Sequence, residues 1–186
     1  MLTAFALAAA LGTQAAQADM LTAFQDACIS RRGDYEASVQ RLAGSEWAPV
    51  EADDHPSLGA LMALGRSALG GDVQGEMSAF RRGLGDDVFY VVLTDVSMPT
   101  GRMAGCYLYN FESDKPLSAE PVTAWLGQSP EEIQDVPGVL VSQKWPRPTS
   151  LPQTAHVQNA FIPAESPLAS QLGFHGSGLV ITTLAD

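Results

Sequence analysis

The chain has 186 residues, with 21 acidic against 10 basic side chains and a formal net charge of −11. Its hydrophobic fraction of 46% argues against wholesale disorder, because disordered chains lack the apolar surface that offsets the entropy of ordering. Polyanions are bound by clustered Lys and Arg, so this charge excludes nucleic acid and disfavours anionic membrane surfaces as partners.

The first 18 residues have the pattern of a secretory signal peptide. Residues 2–11 are almost entirely apolar, and residues 16–18 form an A-x-A cleavage signal. The apolar run is shorter than the roughly 20 residues that cross a bilayer, and no later stretch reaches that length. We therefore predict a signal peptide at 1–18, a single mature domain at 19–186, no membrane span, and a periplasmic or secreted location. The alternative is that 1–18 form a buried first helix.

The next part of the chain has the periodicity of helices. Apolar side chains recur at helical spacing over residues 19–32, 34–44 and 57–69, and a shorter segment at 76–84 follows the same pattern. Gly33 ends the first of these segments. We expect four helices in this half of the chain.

The periodicity then changes to that of strands. Residues 88–96 and 103–111 are rich in β-branched and aromatic side chains and flank a turn with proline and glycine, which predicts a β-hairpin. Further strands are predicted at 139–145, 156–162 and 179–184, and short helices at 121–126 and from Ser129 to about Val136. Because helices and strands are segregated, we predict an α+β fold. Its antiparallel sheet would have about five strands, mostly C-terminal, covered on one face by the N-terminal helices.

Two cysteines, Cys28 and Cys106, are present. An even number in an oxidising compartment predicts a disulfide between them, and two reduced thiols are the alternative. Such a disulfide would place the first helix on the strand face that carries Cys106. Tyr107, Tyr109 and Phe111 would then share the opposite face, because side chains alternate along a strand.

These three aromatic side chains are the candidate ligand platform. One face of an antiparallel sheet can stay open, and aromatic rings there suit an apolar or sugar ligand. The alternative interpretation is that the three rings are part of the core.

Histidines are the candidate catalytic residues. His55, His156 and His175 can each act as a general base near neutral pH. Ser177 is not in a G-x-S-x-G motif, although its spacing from His175 would allow both to share a strand face. The alternative functional hypothesis is therefore a small periplasmic hydrolase that uses His156 or His175 with an acid from elsewhere in the fold.

Metal and nucleotide motifs are weak or missing in the sequence. Asp53, Asp54 and His55 form the densest group of ligand-type residues, but consecutive residues rarely all face one ion. A Walker loop and a G-x-G-x-x-G motif are both absent from the sequence, so no metal or cofactor is predicted. Asp95, in an otherwise apolar strand, is expected to pair with Arg102.

Together these patterns predict an exported protein without a coherent catalytic set. Its expected role is non-catalytic binding, inhibition or envelope support, with a protein or small molecule of unidentified chemistry as its partner. The sequence does not predict the oligomeric state.

Overall fold

A computed structural model of the chain describes residues 19–70 and 73–185, so the predicted signal peptide at 1–18 lies outside the described residues. The strands are β1 (Ala48–Val50), β2 (Gln74–Leu84), β3 (Asp87–Met98), β4 (Gly101–Asn110), β5 (Glu132–Val136), β6 (Leu140–Pro146), β7 (Thr154–Ile162) and β8 (Gly176–Ala185). The helices are α1 (19–28), α2 (Tyr35–Ala43), α3 (Pro56–Ser67), α4 (Ala119–Leu126) and α5 (Pro167–Leu172), with a 3-10 turn at Ala52–Asp54.

All the strands belong to one antiparallel sheet in the order β1-β2-β3-β4-β8-β7-β6-β5. The α+β class and the antiparallel sheet are confirmed. The expected number of about five strands is wrong, because the sheet within the described residues has eight. The central β3–β4 hairpin was predicted. The pairing of β8 with β4 joins segments that are far apart in the chain.

Two segments predicted as helices are strands. Residues 76–84 lie in β2, which pairs along its whole length with β3 and also with β1. The spacing of apolar residues in β2 suits a helix. Pairing with strands on both sides, however, supplies hydrogen-bond partners for the backbone N–H and C=O groups, and this outweighs the helical pattern. The segment that begins at Ser129 becomes β5, which pairs with β6 and is exposed along its whole length.

The sheet has two different faces. On β3, Phe89, Val91 and Leu93 point into the larger core with α1 and α2, and this side is called the disulfide face. Their neighbours Tyr90 and Val92 point into a second core with α3, and this side is called the α3 face. The N-terminal helices were expected to share one face. That expectation is confirmed for α1 and α2 and is wrong for α3, which lies on the opposite side.

The predicted disulfide between Cys28 and Cys106 is present and joins α1 to β4 across a separation of 78 residues. Both cysteines are buried in the core of the disulfide face. In the chain-entropy model, a closed loop of this length contributes up to about 4 kcal/mol to the free energy of unfolding. The bond therefore fixes the N-terminal helix to the central strand of the sheet.

The helix α3 covers only part of its face. Leu58 and Met62 pack against Tyr90 and Val92, above strands β2 and β3. Beyond α3, strands β7 and β8 lie beneath a cavity that opens to solvent. Across 19–70 and 73–185, each helix falls short of the length and apolar character that a membrane crossing needs.

Candidate ligand-binding site

A cavity of about 380 Å³ lies on the α3 face, above strands β4, β7 and β8, and is called the sheet cavity. Small-molecule sites in proteins typically enclose about 300–1,000 Å³, so this volume is sufficient for a small ligand. The strand residues that line its floor include His156, Gln158, Ala160, Val180 and Thr182.

The alternation of side chains along β7 places these residues in the cavity. His156 and Gln158 face it, while the residue between them, Val157, is fully buried in the core of the disulfide face. Asn159 also points to the disulfide face, where its side-chain amide donates a hydrogen bond of 2.8 Å to the carbonyl of Leu117. The floor of the cavity is therefore rigid β-sheet rather than a loop.

The three aromatic residues of the predicted platform share the α3 face, but they have different surroundings. Tyr107 and Tyr109 line the sheet cavity, whereas Phe111 is buried. The Phe111 ring stacks against Tyr109, with centroids 5.4 Å apart, and against His55, at 4.9 Å. Phe111 thus supports the wall of the cavity from behind, and the two tyrosines form its surface.

Two glycines in the strands allow the tyrosine rings to lie close to the sheet. A Cβ atom at Gly178 would lie 2.8 Å from Cε1 of Tyr109, and one at Gly105 would lie 2.5 Å from Cε2 of Tyr107. Larger residues at these positions would push the rings outward. Sequence reasoning missed both residues, although a glycine inside a strand is a recognised sign of a close approach.

Two titratable side chains of the cavity, His156 and Tyr109, favour their neutral forms. Burial lowers the pKa of His156, the positive charge of Lys144 lowers it further, and Glu132 partly opposes this shift. Burial also raises the pKa of Tyr109, with a smaller contribution from Tyr107. At neutral pH the Tyr109 hydroxyl is therefore protonated and His156 is mainly uncharged.

The described lining of the sheet cavity contains two of the three histidines and no carboxylate. His156 and His175 both line it, and Phe174 beside His175 makes an edge contact with Tyr109 at 6.2 Å. Among the described residues that line the cavity, none is Asp, Glu, Lys or Arg. The acid that a histidine base would need for orientation is therefore not part of this lining.

The structure does not bring His175 and Ser177 together. Ser177 is 1% exposed and donates a hydrogen bond of 2.9 Å to the carbonyl of Lys115. It lines a smaller cavity, of about 150 Å³, with Met20 of α1, while His175 lines the sheet cavity. The serine hydroxyl is consequently engaged in a structural contact on the other side of the sheet.

The Asp53-Asp54-His55 segment does not converge on one point. Asp54 pairs with Arg81 at 3.3 Å, while Nε2 of His55 lies 3.3 Å from a carboxylate oxygen of Glu112. The described ranges contain no group of three or more Cys, His, Asp or Glu residues suited to a metal ion. Asp54 and His55 therefore supply contacts within the fold.

The predicted pairing of Asp95 with Arg102 is confirmed. Nε of Arg102 donates a hydrogen bond of 2.7 Å to Oδ1 of Asp95, and Nη2 of the same guanidinium contacts Oδ2. This two-point contact joins β3 to β4 near the turn of the hairpin and has a structural role.

Comparison of the chain with protein-family models, with curated proteins and with solved structures found no match. The function therefore has to be inferred from the chemistry of the sheet cavity.

Proposed function

We propose that this chain is an exported, non-catalytic binding protein that holds an uncharged small molecule in the sheet cavity. The observation that carries the proposal is the cavity of about 380 Å³ above β4, β7 and β8, walled by Tyr107 and Tyr109. A pre-formed concave site with aromatic walls and a few polar groups is typical of small-molecule binding.

The lining supports an uncharged ligand. An ion placed in a partly dehydrated site needs a compensating charge, and the described lining offers only imidazole, amide and hydroxyl groups. His156, Gln158 and Thr182 can donate or accept hydrogen bonds, which would orient polar groups of the ligand. The tyrosine rings would contact its apolar or ring-shaped part.

Export is supported by the disulfide between Cys28 and Cys106. Such bonds form and persist in oxidising compartments and are rare in the cytosol. Together with the predicted signal peptide, the bond supports a periplasmic or secreted location for the binding function.

Native mass spectrometry of the exported protein, purified without reductant, tests this function. We expect an additional small-molecule mass on the wild-type protein and on the control Val88→Trp, an exposed site outside the cavity. We expect its loss in Ala160→Trp, because an indole on the cavity floor would occupy the ligand space. Equal retention by both variants, or no retained mass and no binding of added neutral compounds, would contradict the proposal.

A small hydrolase is the second candidate, because His156 and His175 line the same cavity. It predicts that the wild-type protein hydrolyses p-nitrophenyl esters and that His156→Gln or His175→Gln abolishes this activity. A rate equal to that of buffer alone would eliminate this candidate. We favour binding over hydrolysis because no carboxylate is present in the described lining.

A further inference from the structure

Another cavity, of about 230 Å³, lies between α3 and the sheet and is called the α3 slot. Most of the residues that line it are aliphatic or carry a thioether, and they include Leu61, Leu64, Ala68, Met77 and Val92. Met77 is flexible and polarisable, so it adapts to an inserted apolar group. Leu64 is 47% exposed beside this slot, which leaves apolar surface in contact with water.

The α3 slot and the sheet cavity share two walls. Tyr107 and Tyr109 line both spaces, which therefore meet at the tyrosine pair. On one side of this pair the surroundings are almost wholly apolar. On the other side His156 and Gln158 supply hydrogen-bonding groups. The two adjacent spaces thus present an apolar region and a polar, uncharged region on either side of the tyrosine pair.

We propose that the ligand is a neutral amphipathic molecule, whose unbranched hydrocarbon tail occupies the α3 slot and whose hydrogen-bonding head lies in the sheet cavity. This inference rests on the proposed binding function and specifies its ligand class. The tail gains from leaving water, and the head keeps hydrogen-bond partners at His156 and Gln158.

Charge complementarity selects a neutral head over an anionic one. The nearest cation on β6, Lys144, is already paired with Glu132 at 3.2 Å, and the whole chain carries a net charge of −11. A carboxylate head would therefore enter a site without a free cation in its described lining, inside a protein that repels anions. A glyceryl head has the required uncharged hydroxyl groups.

Titration calorimetry with a series of 1-monoacylglycerols tests this inference. Burial of one methylene strengthens binding about fourfold, so the Kd should fall about fifteenfold from monohexanoyl- to monooctanoylglycerol and again to monodecanoylglycerol. Sodium decanoate, with a similar tail and a charged head, should bind at least about tenfold more weakly than monodecanoylglycerol, since its charge is left without a partner.

Two tryptophan variants of α3 and its C-terminal cap distinguish the slot from the rest of the helix surface. Ala68 lines the α3 slot at its exposed end, so Ala68→Trp should fill the slot and remove the dependence of Kd on chain length. Ala63 is exposed on α3 outside the slot, so Ala63→Trp should retain the wild-type dependence.

Affinities independent of chain length in the wild type, or an unchanged dependence in Ala68→Trp, would overturn this ligand class. If a copurified molecule is nevertheless expelled by Ala160→Trp, the proposed binding function stands and only the amphipathic ligand fails. If neither a copurified molecule nor added monoacylglycerols bind, both proposals fail. A dimer that Ala68→Trp dissociates would identify a second copy of the chain as the occupant and would also overturn the inference.

Discussion

At the scale of single residues, the site depends on what surrounds each side chain rather than on its type. His156 and His55 are both histidines, yet His156 lines a cavity and His55 caps a helix. The sequence identified Tyr107 and Tyr109 as surface candidates because alternation alone places them on one face. It did not separate them from Phe111, since that ring packs against His55 and Tyr90, which are distant in the chain.

We predict that His156 makes stability depend on pH. Its pKa is lowered from 6.5 in the folded state, so below pH 6.5 the unfolded chain takes up a proton at this site more readily than the native protein. This contribution to stability is therefore intact above pH 6.5 and is lost as the pH falls towards the lowered pKa. Lys144 adds to the shift and Glu132 opposes it.

Urea unfolding of the wild type and of His156→Gln at a series of pH values measures this effect. The variant should lose less unfolding free energy than the wild type between neutral and mildly acidic pH, because its amide does not titrate. Parallel curves for the two proteins would show that His156 is not the source of the acid sensitivity.

At the scale of elements, local sequence patterns predicted the correct secondary structure where the neighbouring segments in the fold favour the same structure. The hairpin of β3 and β4 was predictable because its strand-forming residues flank a turn. The helix prediction for residues 76–84 failed because the spacing of Met77, Phe80 and Leu84 suits a helix, and only pairing with β1 and β3 makes this segment a strand. The sequence also gave no sign that α3 would cross to the other face, because the choice of face depends on the whole sheet.

We predict that the start of α3 depends on the His55 imidazole. Nδ1 accepts a hydrogen bond of 3.1 Å from the backbone N–H of Ser57, and the ring stacks on Phe111. His55→Ala removes the helix cap and should lower the free energy of unfolding by about 1–2 kcal/mol. His55→Asn supplies a new cap and should recover part of this loss.

Chemical denaturation of the three proteins decides between the cap and the ring contact. Equal destabilisation of His55→Asn and His55→Ala would assign the effect to stacking on Phe111. An unchanged stability of His55→Ala would contradict both roles.

At the scale of the whole molecule, the sheet separates two hydrophobic cores of unequal size. The helix α1 covers the core on one face, and α3 covers the core on the other. The disulfide was predictable because two cysteines allow one intramolecular pairing. The order of the sheet was not, because β4 pairs with β8, which follows β5, β6 and β7 in the chain, and no local signal specifies so distant a pairing. The cavity could not be predicted either, since its lining combines residues of β4 with residues of β7 and β8, which are distant in the chain.

We predict that loss of the disulfide weakens the entire fold. The double variant Cys28→Ala/Cys106→Ala should lose about 2–4 kcal/mol of unfolding free energy, because the unfolded chain regains the freedom of a large loop. Urea denaturation with and without dithiothreitol measures the loss. Reductant should destabilise the wild type by a similar amount and leave the double variant unchanged. A wild type as stable with reductant as without it would contradict the prediction.

The alternation of side chains along β4 places the disulfide directly behind the candidate ligand site. Cys106 points to one side of the strand and is bonded to α1, while its neighbour Tyr107 points to the other side and forms a wall of the sheet cavity. A strand that is covalently anchored from behind has fewer conformations to lose when a ligand contacts its front. Pre-organisation of this kind lowers the entropic cost of association. An oxidising environment would therefore favour ligand binding in this cavity as well as folding.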